Sequence, residues 1–166
     1  MECDVKVNIE NFDLSKIEYV VACSGGNDSI ALIELMAKRH KKETFLVLYN
    51  DTGWAREDWP ERMELVSKIL KERKIPFFST QSIGFEALVR KKKGFPMPAS
   101  KMQFCTEELK TKPTLEFLKE NDPHSEWIVV TGRRREESNN RASLSLTEAN
   151  TTVYEGRDVY NPLIMH

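Results

Sequence analysis

The chain has 166 residues, which suits a single domain, and 40% of them are hydrophobic, so it can bury a core of its own. Its formal net charge of -1 gives no general attraction to nucleic acid or to an anionic membrane. The three cysteines, Cys3, Cys23 and Cys105, do not have zinc-site spacing and are too few for a disulfide framework or a four-thiolate cluster. No apolar run resembles a transmembrane segment or a signal peptide, which predicts a cytoplasmic protein.

The hydrophobic pattern alternates between strands and helices in the first half of the chain. Continuous apolar runs bounded by polar residues predict buried strands, and apolar residues at helical spacing predict amphipathic helices. The predicted strands are 17–23, 44–50 and 75–80, and the predicted helices are 28–40 and 56–74, the second with Pro60 in its first turn.

The same alternation continues in the second half. We expect a short helix at 85–94 ended by Gly94, an irregular loop at 94–104, a helix at 106–121 that Pro113 kinks or divides, a strand at 126–132, and a hairpin or edge strand within 151–164. This alternation predicts an α/β fold of three α/β/α layers, with a mostly parallel sheet of about five strands in one domain over residues 1–166. In such sheets ligands bind beyond the carboxyl ends of the strands.

A glycine-rich run, Ser24-Gly25-Gly26-Asn27-Asp28-Ser29, joins the first predicted strand to the first helix. Its glycines allow positive φ and a close approach of backbone to ligand, and the helix start offers free N–H groups to an anion. Its serine hydroxyls can donate to phosphate oxygens, whereas Asp28 fits either a helix N-cap or a ligand for Mg²⁺ that bridges phosphates. The run is therefore either a phosphate site or a tight turn with a capped helix.

The run matches the SGGxDS loop of the ATP pyrophosphatase (PP-loop) superfamily. Three further stretches, NDTGW at 50–54, FCTEELKTKP at 104–113 and GRRREESNNRA at 132–142, resemble segments of its phosphoadenosine phosphosulfate reductase-like branch and occur in that family's order. The resemblance implies an adenine nucleotide alpha hydrolase-like fold. It also implies that residues 24–29 bind the β,γ-pyrophosphate of ATP while a substrate oxygen attacks the α-phosphorus, giving an adenylylated product and pyrophosphate.

The resemblance also assigns the remaining candidate site residues. Asp51 and Thr52, followed by Gly53, would contact ribose or adenine, or a metal in the case of Asp51; the alternative is a loop Asp that caps a turn. Lys110 and Arg134 would meet phosphate or sulfate, the alternative for each being an exposed cation. The residues expected to act in catalysis are Asp28, Lys110 and Arg134.

The segment that begins at Gly132 carries three more candidates. Arg141 would share a helical face with Arg134, Glu137 would pair with either arginine, and Ser138 would cap a helix. Cys105 precedes a helix and would lie at the edge of the site, unless it is a small buried hydrophobe. Cys23 is expected to pack in the core.

Two departures from the branch bear on function. Asn27 occupies a position where lysine is common, which weakens the expected electrostatic attraction for phosphate. The cysteine motif E-C-G-x-H of the reductases is not found in this sequence.

The leading hypothesis is therefore an enzyme that cleaves ATP at the α–β bond with Mg²⁺ and adenylylates an acceptor that the sequence does not identify. The alternatives are a 3′-phosphoadenylyl sulfate or adenylyl sulfate reductase or sulfotransferase-like protein, and a non-catalytic subunit of a DNA- or RNA-modifying assembly. A homodimer and a nucleic-acid partner for the basic runs 90–93 and 133–135 are further alternatives; no membrane partner is expected.

Overall fold

The computed structural model describes residues 5–8, 12–92, 104–135 and 143–165, and within these residues one sheet contains seven strands. The strands are β1 (Val5–Val7), β2 (Tyr19–Cys23), β3 (Phe45–Asp51), β4 (Phe77–Gln81), β5 (Ile128–Val130), β6 (Thr147–Glu148) and β7 (Val159–Tyr160). Their order is β1-β4-β3-β2-β5-β7-β6. The five central strands run parallel, and β1 and β6 add antiparallel edges.

The predicted helices form close to their expected positions. Helix α1 spans Asn27–Arg39, α2 spans Trp59–Glu72 with Pro60 in its first turn, and α3 spans Phe85–Lys92. The predicted stop at Gly94 lies outside the described residues. Among the helices that the structure describes, every one is too short or too polar to cross a membrane.

The helix predicted at 106–121 is divided rather than continuous. It consists of α4 (Phe104–Thr106), a π-helical turn (Glu107–Thr111) and α5 (Lys112–Asn121), with buried Pro113 in the first turn of α5. Proline has no N–H to donate to the preceding turn, which accounts for the break at this point. A π-helical turn is rare and frequently marks a functional site.

Hydrophobic side chains cover both faces of the sheet. In β2, Val20 and Val21 point to opposite faces, and both are fully buried. One core cluster, with Val21, Leu32, Met36, Phe45 and Met63 among its members, packs α1 and α2 on one face. The other, with Val20, Leu46, Phe78, Phe117 and Leu118 among its members, packs α5 on the opposite face. The predicted three-layer, mostly parallel fold is confirmed.

The strand order fixes where a ligand would bind. From β2 the chain passes through α1 to β3 on one side, whereas β5 lies on the other side of β2. A crevice opens between strands that lead in opposite directions from such a switch in order. It lies at the carboxyl ends of β2 and β5, where residues 24–29 and 131–135 follow.

Candidate functional site

The loop after β2 has a conformation that only glycine fits. Gly25 has a φ of +77°, in the left-handed region. A Cβ at this position would lie 2.4 Å from Met63 Sδ and 3.1 Å from Trp59 Nε1, both on α2. Gly25 therefore lets the loop turn sharply while it packs directly against α2.

The loop leads into an open helix N-terminus. Gly26 is the N-cap residue of α1, and no side chain caps this end. The first intrahelical bond runs from Ile30 N–H to the Gly26 carbonyl at 3.1 Å, so the N–H groups of residues 27–29 precede the helical ladder. Asp28 lies in the first turn and is not the N-cap, which leaves these donors and the positive end of the helix dipole available to an anion.

The two loop serines lie side by side at this helix start. Buried Ser29 donates its hydroxyl to the Gly26 carbonyl at 2.8 Å, and its oxygen is 3.5 Å from that of exposed Ser24. The thiol of Cys23 donates to Ser29 from beneath, and burial raises the pKa of that thiol. Cys23 is therefore a neutral core group that supports the loop.

An ion pair links the two sides of the crevice. Arg134 Nη2 lies 3.1 Å from Asp28 Oδ2, and both side chains are a little under half exposed. The backbone of Gly132 passes close to α1, because a Cβ at Gly132 would be 3.8 Å from the carbonyl oxygen of Asp28. Three predicted residues from two separate motifs are thus brought together, and two of them, Asp28 and Arg134, are partners of each other.

A buried polar network beyond β5 holds Arg133, the residue before Arg134. The sequence patterns do not indicate this network. The Thr131 hydroxyl donates to Asn161 Oδ1 at 2.5 Å, and the Asn161 amide donates to Glu148 at 2.6 Å. Glu148 also lies 3.6 Å from Arg133 Nη1. Because Asn161 is fully buried, this network orients Arg133 along the wall of the crevice.

Asn50 at the end of β3 fixes the opposite wall, and it too was missed as a functional residue. Its amide donates to Thr114 Oγ1 at 2.8 Å and to the Lys110 carbonyl at 3.2 Å, while its own oxygen accepts from Thr80 at 2.5 Å. Asn50 therefore ties the π-helical turn to the sheet edge. Lys110, exposed in that turn, lies on the cleft wall as a result.

Asp51, Thr52 and Gly53 follow one another in sequence but border two different hollows. The Asp51 carboxylate accepts the Gly53 N–H at 2.9 Å and borders a hollow of about 700 Å³ beside α2, which corresponds to the turn-capping alternative. Thr52 instead lines the main cleft. Gly53 has a φ of +61°, and a Cβ there would lie 3.1 Å from the Cα of Gly84.

The main cleft has a volume of about 1340 Å³ and follows the carboxyl edge of the sheet. The predicted site residues that line it are Ser24, Asp28, Ser29, Thr52, Lys110 and Gly132. Trp54 and Trp59 also line it, and Trp54, 65% exposed, packs its ring on Phe85 with centroids 4.9 Å apart.

Five further predicted site residues that the structure describes, Gly25, Gly26, Asn27, Cys105 and Arg134, are not on the wall of the main cleft. Partly buried Cys105 is not a lining residue, although the next two residues are. Glu137, Ser138 and Arg141 lie outside the described residues, so their roles stay predictions. Within the described ranges no cluster of three or more acidic, histidine or cysteine side chains could hold a metal ion alone. A Mg²⁺ held by Asp28 would therefore share its coordination with phosphate oxygens.

Comparison with known proteins agrees with this geometry. A protein of Methanocaldococcus jannaschii described as uncharacterized is 29% identical over 142 residues, which cover 86% of this chain and 28% of the relative. The chain thus spans less than a third of that relative's length, and the assignment of residues 1–166 to a single domain stays a prediction. The model of the phosphoadenosine phosphosulfate reductase domain matches residues 18–165, so the chain belongs to this family, a branch of the PP-loop superfamily whose members bind adenosine nucleotides.

Proposed function

We propose that this protein binds ATP and cleaves it between the α- and β-phosphates, transferring the adenylyl group to an acceptor and releasing pyrophosphate. The observation that carries the proposal is the uncapped N-terminus of α1 at the topological switch, which is entered through a glycine with no room for a side chain and flanked by two serine hydroxyls. Backbone N–H groups at such a position bind phosphate oxygens, and the helix dipole favours their negative charge.

Catalysis at this site would come from positioning and electrostatics. Negative charge grows on the departing pyrophosphate as the α–β bond breaks, and fixed N–H donors stabilise it without reorganising. Asp28 would hold Mg²⁺ against the phosphates, and that ion would supply further neutralisation. With Mg²⁺ beside the Asp28 carboxylate, the Arg134 guanidinium would turn from Asp28 to a phosphate oxygen. Lys110 would add a second positive charge from the opposite wall.

The size of the cleft supports a reaction with two substrates. Its volume of about 1340 Å³ exceeds the range of roughly 300–1,000 Å³ typical of small-ligand sites. It continues from the loop to the turn that contains Val153, which is 47% exposed. We assign the nucleotide to the loop end and the acceptor to the remaining space.

The test is a ligand panel followed by product analysis. ATP, AMP, adenylyl sulfate and its 3′-phosphate are compared by thermal shift with and without Mg²⁺, and a ligand at 100 times its Kd stabilises the fold by about 2.7 kcal/mol. ATP labelled at the α- or γ-phosphate is then incubated with candidate acceptors. We expect pyrophosphate and an adenylylated product, or AMP after its hydrolysis. ADP and free phosphate would refute the mechanism, and tight ATP binding without turnover, with co-purifying partners, would favour a nucleotide-binding subunit of a larger assembly.

Family membership supports a second candidate, a sulfonucleotide reductase or sulfotransferase-like activity. Reduction of a sulfonucleotide needs a reactive thiol, and of the two described cysteines Cys23 is buried beneath the loop while Cys105 is only partly buried. Cys105→Ser separates the candidates, with Cys23→Ser as the control for general damage. Turnover of adenylyl sulfate that Cys105→Ser abolishes would favour the second candidate, whereas adenylylation that survives the substitution would support the first.

A further inference from the structure

The phosphate loop contains no positive side chain of its own. Residues 24–29 include one acidic residue and no lysine or arginine. The nearest cation on the β5 side, Arg134, is paired with Asp28, and its neighbour Arg133 is paired with Glu148. A bound di- or triphosphate carries several negative charges, so the loop requires a further cation.

Arg62 on α2 approaches the loop from the side opposite to β5. Its Nε donates to the Gly25 carbonyl at 2.7 Å, and its Nη2 lies 3.4 Å from Asn27 Oδ1. The guanidinium carbon lies 5.4 Å from the centre of the Trp59 ring, which holds the side chain in place from below.

The partners of Arg62 differ from those of other arginines nearby. Arg73 at the end of α2 pairs with Glu34, and Arg56 just before α2 pairs with Asp58. Arg62 contacts a carbonyl, an amide and an indole, all of which are neutral. Among the described residues, no carboxylate forms an ion pair with it. No carboxylate of the described residues therefore neutralises its charge, although a guanidinium has five N–H donors to offer.

The bond to Gly25 also orients the loop backbone. In a trans peptide the carbonyl and the next N–H point in opposite directions, and the described chain has no cis peptide bonds. Holding the Gly25 carbonyl toward α2 turns the Gly26 N–H to the other side, where it donates to Oγ of the cleft-lining Ser24 at 3.4 Å. Arg62 thus fixes the peptide between Gly25 and Gly26, whose N–H holds the Ser24 hydroxyl at the wall of the cleft.

We propose that Arg62 is the positioning residue of the phosphate loop, which fixes the Gly25–Gly26 peptide and, through it, the Ser24 hydroxyl for a bound diphosphate group, and which supplies the positive charge that the loop lacks. This inference rests on the proposed function only in assigning a nucleotide polyphosphate to the loop. The expected ligand is an anion with at least two linked phosphates.

The test is calorimetric titration with inorganic pyrophosphate, ATP and AMP. The variants are Arg62→Gln, Arg62→Lys and the double variant Arg62→Gln/Asn27→Lys, and Arg73→Gln on the same helix is the matched control. We expect Arg62→Gln to weaken pyrophosphate and ATP binding roughly ten- to a hundredfold, the range for a hydrogen bond to a charged group, and AMP binding by less than about threefold. Arg62→Lys should keep part of the affinity, the double variant should recover part of it, and Arg73→Gln should match the wild type.

Two results would overturn the inference. One is unchanged pyrophosphate affinity in a folded Arg62→Gln protein. The other is an equal loss for ATP and AMP that Asn27→Lys does not recover, since damage to the loop alone would have that effect. Wild-type protein that binds neither pyrophosphate nor ATP would overturn the proposed function as well, whereas binding that depends on Arg62 without α–β cleavage would contradict only the proposed reaction.

Discussion

Replacing Gly25 by alanine tests the phosphate loop most directly, because the structure separates two costs of the added methyl group. The first is conformational: a φ of +77° puts an L-residue in the left-handed region, at about 1–2 kcal/mol. The second is steric, since the new Cβ would lie 2.4 Å from Met63 Sδ and 3.2 Å from a Trp59 ring carbon. Overpacking of this kind costs about 1–3 kcal/mol.

The sum of about 2–5 kcal/mol predicts a lower melting temperature and weaker nucleotide binding. For a chain of this length each kcal/mol corresponds to about 2–4 °C, so we expect a decrease of about 4–20 °C by differential scanning calorimetry. Because the loop has to move away from α2, its N–H groups lose their alignment, and ATP affinity measured by calorimetric titration should fall at least about tenfold.

The control is Gly156→Ala. Gly156 has a φ of +90°, yet a Cβ there would meet no atom within 4 Å, so this variant carries the conformational cost without the clash. It should lose about 1–2 kcal/mol of stability and keep its ATP affinity within about twofold. Equal loss of ATP binding in both variants, or a Gly25→Ala protein that melts and binds like the wild type, would refute the reasoning.

Three further predictions concern charged and titratable groups. Separating the half-exposed pair Asp28–Arg134 by Arg134→Gln should change the free energy of unfolding by less than about 1 kcal/mol but weaken ATP·Mg binding, as measured by thermal shift and titration calorimetry. Asp122→Ala should destabilise by about 3–5 kcal/mol in urea unfolding, because it leaves Arg157, itself 3% exposed, without its carboxylate partner at 3.2 Å. Burial raises the pKa of Tyr49 from 10 to about 12, so its contribution to stability is complete below pH 10 and declines as pH rises toward 12; in Tyr49→Phe that part of the alkaline decline should vanish. A Tyr49→Phe protein with the wild-type stability profile between pH 10 and 12 would contradict this assignment.

Sequence periodicity was sufficient to predict the strands and helices that bury a continuous apolar face. The central strands β2 and β3 and the helices α1 and α2 appear within a few residues of their predicted positions, because each carries a local pattern that only one secondary structure can bury. The edge strands do not have such a pattern. Thr147 belongs to a strand of two residues that exists only because it pairs with Tyr160, and a pairing across such a distance leaves no local signal.

The candidate site likewise has one part that the local sequence predicts and another part that it does not. The turn at residues 24–29 could be predicted because its glycines and serines are adjacent in sequence and serve one backbone conformation, while its binding of phosphate stays a prediction. The side chains that brace it come from distant elements: Arg62 reaches Gly25 across 37 positions, and Asn50 reaches Thr114 across 64. An asparagine at a strand end and an arginine on an amphipathic helix both have ordinary surface roles, so only the folded arrangement identifies these two as supports of the cleft.

The folded arrangement also explains how an aspartate can lie beside the proposed phosphate site. Taken alone, Asp28 would repel an anion at the helix start, but its carboxylate is 3.1 Å from Arg134, so the two charges offset each other. In the proposed mechanism a magnesium nucleotide would exchange partners rather than add charge, because Mg²⁺ would take the place of Arg134 beside Asp28 and a phosphate would take the place of Asp28 beside Arg134. This exchange would couple the binding of Mg²⁺ to the binding of phosphate. Asp28→Asn should therefore reduce the amount by which Mg²⁺ raises ATP affinity, and not the ATP affinity measured without Mg²⁺. Titrations of wild type and variant with and without Mg²⁺ measure that difference, and a variant with an undiminished Mg²⁺ effect would place the metal elsewhere.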